Sequence, residues 1–349
     1  MASPASSNVS STPRRLIFGI QRRAAIVFAV LIVLTLVVMI VSVGYGEYHI
    51  GPLNVVRAIL GLETGNDDHR LVVRLFRLPR IVLAALVGGA LAVSGTILQG
   101  ITRNALADPG ILGINSGAAV AAVAILVYFQ DVPIGYLPFA ALGGGVITAA
   151  LIYLFAWRGG SSPLRLILVG IGFASIAGAL TTLMVVFGDI NDVQQAYVWL
   201  SGSVYGRGWG HVQVMLAWLV VLLPLVLIGA RQLNILSLGD DPARGLGVRL
   251  ELTRAGLIFL SVALAASSVA VAGTIGFVGL VAPHIGRRLV GPEHEGLIPV
   301  SALLGGLMLL IADFLGRVVI APSQLPAGIM TAIIGAPYFM YLLWRERGR

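Results

Sequence analysis

"GGALAVSGTILQGITRNALADPGILGINSGA", residues 88–118, joins an apolar run, a charged break and a second apolar run. Small and branched apolar residues fill 88–101. Asp108-Pro109-Gly110 carries turn chemistry, and "LGINSGA" at once resumes with small residues. The break is either a plain hairpin between two helices or part of a working surface. The choice depends on the solvent these runs are built for.

The composition names that solvent. Of 349 residues 58% are hydrophobic and 11% charged, where a globular chain carries about 25% charged residues. So few charges cannot cover a soluble surface, and lipid is the expected surrounding. The 44 glycines suit helices whose backbones approach closely in a membrane. The chain has no cysteine, so thiol chemistry and disulfides are excluded. All 23 basic residues are arginine, and the net charge of +8 reads as a topology signal rather than as affinity for nucleic acid.

A crossing helix needs about 20 apolar residues. By that measure the sequence predicts an all-α polytopic protein with about ten spans. Eight are long: 24–44, 80–101, 137–157, 164–187, 211–230, 252–273, 297–317 and 324–344. Two are shorter and flanked by Gly and Pro: 110–128 and 277–291. Residues 1–23, rich in Ser, Pro and Arg, read as a disordered cytoplasmic segment, and 24–345 as one transmembrane domain. The run Ala24–Val43 exceeds the h-region of a signal peptide and lacks a small-residue cleavage site, so it reads as an uncleaved first span.

An even span count puts both termini on one side. With the N-terminus inside, sixteen of the 23 arginines fall on cytoplasmic segments, which supports N-in and C-in. Four of the seven outer arginines lie in "RLVVRLFRLPR", residues 70–80. They form either a belt snorkelling to the interface or a docking patch for an acidic external partner. "AVSGTI" at 92–97 recurs as "AVAGTI" at 270–275, five spans later, so the copies run in opposite directions. Inverted repeats of this kind mark transporters.

No catalytic constellation stands out. The five histidines, His49, His69, His211, His284 and His294, are not paired at metal-ligand spacing, and neither a metal nor a cofactor is expected. A chain without lysine contains no P-loop. Asp313 and Arg317 stand four apart on one helix and can pair, either as a helix-end ion pair or with Asp313 holding Arg317 at the outer surface. Ala85 and Gly89 form one set of small residues at spacing four; Gly170, Ala174 and Gly178 form another. Both read as ordinary helix packing or as a dimer or pathway face. The stretch "RQLNILSLGDDPARGLGVRLELTR", 231–254, sets apolar residues among turn formers. Asp240 or Asp241 can cap a short helix there, and the segment is either a solvated loop or an amphipathic piece offered to a partner's groove.

Several motifs together resemble the FecCD-type permeases of bacterial ABC importers, the iron–siderophore and vitamin B12 uptake class. They are "RLPR" (77–80), the 88–118 stretch, "LSLGDDPARGLGV" (236–248), "GTIGFVGLVAPHIGRRLVGPEH" (273–294) and "IADFLGRVVIAPSQLPAGIMTAIIGAPYF" (311–339). The resemblance covers roughly residues 24–345. It implies a multi-pass protein of the bacterial inner (plasma) membrane with helices two to five and seven to ten as inverted repeats. It also implies a homodimeric core, a cytoplasmic ATPase dimer beneath and a substrate-binding protein outside. The permease itself is not an enzyme.

Carried over residue by residue, the resemblance assigns Arg77, Arg80 and Arg317 to docking of the binding protein. The coupling segment for the ATPase falls on Ser237, Leu238, Gly239, Asp240, Asp241, Ala243, Arg244, Leu246 and Gly247. The cytoplasmic gates fall on Asn104, Ala105 and Leu106 and on Ser161 and Ser162. The path runs along the fifth and tenth helices, past Gly170, Ala174 and Gly178. Where the family has N-P-L at the first gate this chain has Asn104-Ala105-Leu106, so its helix end is expected to be less sharply fixed. The expected cargo is a ferric siderophore, with vitamin B12 or haem as alternatives. A secondary transporter driven by an ion gradient is the rival from another class, and it calls for buried carboxylates at mid-membrane.

Overall fold

The computed structural model describes residues 13–46, 48–129, 131–157, 160 and 162–346. Among them the chain is built from helices and turns, without strands. Ten helices coincide with the ten expected segments: α1 (Pro13–Gly44), α2 (Leu78–Thr102), α3 (Ile114–Tyr128), α4 (Leu137–Ala156), α5 (Pro163–Val186), α6 (Trp209–Ile228), α7 (Leu250–Ala272), α8 (Val278–Val290), α9 (His294–Val318) and α10 (Ala327–Glu346). Eight of them are long and apolar enough to cross a membrane. The exceptions are the two expected to be short, α3 with 15 residues and α8 with 13. Of the segment expected to be disordered, 1–12 lie outside the described residues, and from Pro13 onward the chain is helical.

Shorter helices fill the connections, where the sequence offered no apolar run long enough to read. Pro52–Leu60 lies on the outer side. Asp67–Leu71 continues through a π-helical stretch, Val72–Arg77, into α2. Ile190–Leu200 follows α5, and Ala230–Ser237 and Asp240–Gly245 lie between α6 and α7.

The centre of the molecule is α2, flanked by α7, α8 and α9. Small residues bring these backbones together. A Cβ on Gly88 would overlap the carbonyl oxygen of Gly305, and one on Gly95 that of Gly279. Gly89 and Ala85 meet α9 at Ala302 and Gly306, so the first set of small residues is packing within the chain. Ser94 and Ser261, buried where α2 meets α7, satisfy one another. Ser94 Oγ donates to the Ser261 carbonyl at 2.8 Å, and Ser261 Oγ donates to that of Ser94 at 3.1 Å. Reciprocal bonds of this kind avoid an unpaired hydroxyl in a medium without water.

The two sequence echoes differ in local geometry. "AVSGTI" lies inside α2, whereas "AVAGTI" runs off the end of α7, which stops at Ala272. Gly273 takes φ +73° there, and the Thr274 hydroxyl donates to the Leu200 carbonyl. A left-handed glycine ends the helix at that point, while Gly95 stays helical.

Candidate functional site

On the outer side four arginines converge. Arg77, Arg80, Arg207 and Arg317 line a cavity of about 650 Å³ together with Tyr48, Tyr205 and Gln324, and among the described residues no carboxylate lines it. Most of their donors are already committed. Arg77 donates to the carbonyls of Val43 (2.7 Å) and Tyr48 (2.6 Å), and Arg317 to those of Ser42 (3.0 Å) and Tyr45 (3.2 Å). Both therefore cover the C-terminal end of α1, where orphan carbonyls carry partial negative charge. Arg74 does the same for the helix Pro52–Leu60, donating to Ala58 (2.9 Å) and Ile59 (2.8 Å). For Arg74 and Arg77 the snorkelling belt is thus replaced by helix capping.

Arg80 and Arg317 share Asp313. Arg80 Nη2 lies 2.9 Å from Asp313 Oδ1, and Arg317 Nε lies 3.3 Å from Oδ2. The i,i+4 pair expected from the sequence forms, and α2 supplies a second cation that sequence spacing did not reveal. Arg80 also donates to Gln324 at 2.8 Å and stacks over Tyr205. Asp313 is 2% exposed and is the one carboxylate buried within a spanning helix among the described residues. Burial pushes the Arg207 guanidinium below its ordinary value. This fourth arginine was visible in the sequence only as one of the seven outer cations.

On the inner side, the coupling segment forms the predicted short helix, Asp240–Gly245. Its cap differs from expectation. The N-cap position is Gly239, at φ +119°, and no side chain caps the helix. Asp240 instead accepts from Arg103 at 3.1 Å and Arg254 at 3.0 Å. Gly239 and Ala243 are buried against the protein, so with Asp240 they hold the helix in place. The surface offered to solvent consists of Ser237, Leu238, Asp241, Arg244, Leu246 and Gly247, with Leu238 and Leu246 both more than 60% exposed. Arg244 pairs weakly with Asp241, at 3.7 Å.

Arg103 is the C-cap of α2, at φ +51°, and it leads directly into the turn expected to form the first gate. The Asn104 carboxamide oxygen accepts from the Leu106 N–H at 2.9 Å, and the Asn104 carbonyl from the Ala107 N–H at 3.1 Å. The side chain of Asn104 thus closes the turn that proline would otherwise restrict, with Ala105 half-buried within it. Asp108 caps the next turn, accepting from Gly110 at 2.8 Å. Burial pushes its carboxyl above the ordinary range, against the pull of that bond.

Gln99, one polar residue within "TILQGIT", is a hub that the sequence reading passed over. Its Nε2 donates toward the carbonyls of Ala107, Gly279 and Leu280 at 3.1–3.3 Å, and its Oε1 accepts from Arg287. It ties the turn after α2 to α8. At the position expected for the second gate, Ser162 precedes α5 and its carbonyl accepts from Leu166 at 3.0 Å, while Ser161 lies outside the described residues. Along α5, Gly170 is buried, Ala174 half-buried and Gly178 exposed with open space around its Cα. The second set of small residues therefore grades from packing into an uncovered face.

The model of the FecCD transport family matches residues 34–345. An iron(3+)-hydroxamate import system permease protein of Bacillus subtilis is 46% identical over 92% of this chain and 97% of its own length. A permease protein of an Fe(3+)-citrate import system from the same organism is 45% identical over 93% and 96%. A solved inward-facing structure of a metal-chelate type ABC transporter superposes with a TM-score of 0.82 at 33% identity, covering 92% of this chain and 99% of the other.

Proposed function

The chain belongs to the FecCD transport family, and from that premise we propose that it imports a ferric siderophore delivered by an external binding protein and driven by a partner ATPase. It is a multi-pass permease of the plasma membrane. The observation that carries the reading is the inner coupling surface. Leu238 and Leu246 stand exposed on either side of the short helix Asp240–Gly245, whose Asp240 is ion-paired to Arg103, next to the turn that follows α2. A cytoplasmic ATPase pressing on the two leucines would load that turn directly.

Two further observations support the assembly. Among the described residues the outer cavity is lined by arginines and by no carboxylate, which suits an acidic side chain of a binding protein against Arg77, while Arg80 and Arg317, nearly buried and paired with Asp313, add positive charge to the cavity. Helices α5 and α10 are mostly uncovered, which suits a second copy of the chain with a path between the copies. Against an ion-driven mechanism, Asp313, the one carboxylate buried within a spanning helix among the described residues, is held between two arginines and is not free for a coupling ion.

The test is uptake into proteoliposomes carrying the permease, its ATPase and the binding protein, with ion gradients collapsed. ATP-dependent accumulation of a ferric hydroxamate is expected. Transport that follows an imposed gradient and ignores ATP would overturn the reading. Accumulation of cobalamin or haem in place of the ferric hydroxamate would reassign the cargo.

A further inference from the structure

At the outer end of the bundle a cavity of about 420 Å³ opens beside Arg207, distinct in most of its lining from the arginine cavity above. Its polar lining is Gln195, Trp199, Ser203, Tyr205, Arg207 and His211. Two of these are incompletely satisfied. Trp199 is 7% exposed, and its Nε1 has no hydrogen-bond partner among the described residues; the same is true of the buried Nε of Arg207. Arg207 reaches His211 Nε2 at 3.4 Å and makes no ion pair among the described residues. Buried N–H groups left in this condition cost free energy unless an acceptor enters.

A second cavity of about 260 Å³ adjoins the first, sharing Gly135, Pro138, His211 and Ala270. It continues inward along the membrane between α4, α6 and α7, lined by Phe139, Leu142, Val214, Trp218 and Val271. Its walls are apolar, and Phe139 and Val214 are more than half exposed. A cationic, donor-rich head pocket thus leads into an apolar groove that runs in the direction of an acyl chain. Among the described residues no carboxylate lines either part.

We propose that this composite site binds one anionic phospholipid. Its phosphate faces Arg207 and the Trp199 N–H, and an acyl chain lies in the α4–α6 groove. Charge selects the headgroup: Arg207 favours a net negative lipid over a zwitterionic one of the same phosphate chemistry. The groove selects a lipid over a free anion, because soluble phosphate leaves the apolar half empty.

The experiment is native mass spectrometry of the full-length chain, purified in complex with its ATPase and delipidated, then titrated with phosphatidylglycerol or phosphatidylethanolamine of identical chains. The wild type is expected to retain a phosphatidylglycerol adduct in preference to phosphatidylethanolamine by about tenfold, the scale of one charge-assisted contact. Arg207→Gln is expected to abolish that preference. Val214→Trp, a change at an exposed position that fills the groove, is expected to reduce adducts of both lipids with the thermal midpoint unchanged. An unchanged preference in Arg207→Gln, or unchanged adducts in Val214→Trp, would overturn the proposal; the second result applies even if Arg207→Gln fails to fold. Displacement of the lipid by millimolar inorganic phosphate would also overturn it, since the site would then be a free-anion site.

Discussion

Asp313 is a single carboxylate between the guanidinium groups of Arg80 and Arg317, all three nearly out of contact with solvent. Its removal leaves two buried cations on facing helices. Asp313→Ala is therefore expected to destabilise the protein by about 3–5 kcal/mol, the usual consequence of breaking a buried pair from one side. The loss should register as a large fall in thermal midpoint and yield in detergent. Asp108 differs, because burial raises its carboxyl above the unfolded value. Ionisation then costs stability in the folded chain. The cost is absent below the unfolded pKa, grows as pH rises toward the folded pKa and persists above it. Asp108→Asn retains an acceptor for the Gly110 N–H and removes the charge. The expected outcome is a flatter dependence of thermal midpoint on pH above about 4, with no loss of stability at neutral pH.

At the scale of elements, the helix Asp240–Gly245 has one face held by the protein and one face free. Asp240 ties it to the end of α2 through Arg103 and to α7 through Arg254. The two faces should separate on mutation. Leu246→Asp, on the free face, is expected to weaken capture of the ATPase in a pull-down. Asp240→Asn keeps the exposed leucines, so ATPase binding is expected to persist while uptake per ATP hydrolysed falls several-fold. Equal loss of binding in both variants would show that Asp240 positions the docking surface and transmits nothing. The short outer helices obey the same logic, since arginines 74 and 77 close the C-terminal ends of Pro52–Leu60 and α1.

For the whole molecule, burial is uneven in a way one chain does not explain. Helices α2, α7 and α9 are largely enclosed, while α1, α5 and α10 are largely bare. A face against lipid and a face against a second copy look alike in composition. A chain without cysteine makes the distinction simple to measure. Gly178→Cys, in open space on α5, is expected to cross-link into a covalent dimer under mild oxidation. Val33→Cys, on the exposed side of α1, is expected to remain monomeric on a denaturing gel. The reverse pattern would move the dimer face from α5 to α1.

The spans were legible because lipid imposes a length and an apolar composition on every crossing helix, and a sequence carries both. The positions of the ten helices follow from that, while the short helix Asp240–Gly245 and the turn at Asp108-Pro109-Gly110 were legible from turn and capping chemistry. The roles of individual polar residues did not follow. Asp240 read as a helix cap and proved to be an acceptor shared by Arg103 and Arg254, residues 137 and 14 positions away. Gln99 read as nothing and joins the gate turn to α8. Asn104, by its own side chain, fixes the turn in which Ala105 replaces the expected proline. Local pattern records what the solvent demands of a segment. The partner of a buried charge or amide is chosen by which helices cross, and that was decided only when glycines such as Gly88 and Gly95 let α2 meet α9 and α8 at backbone distance.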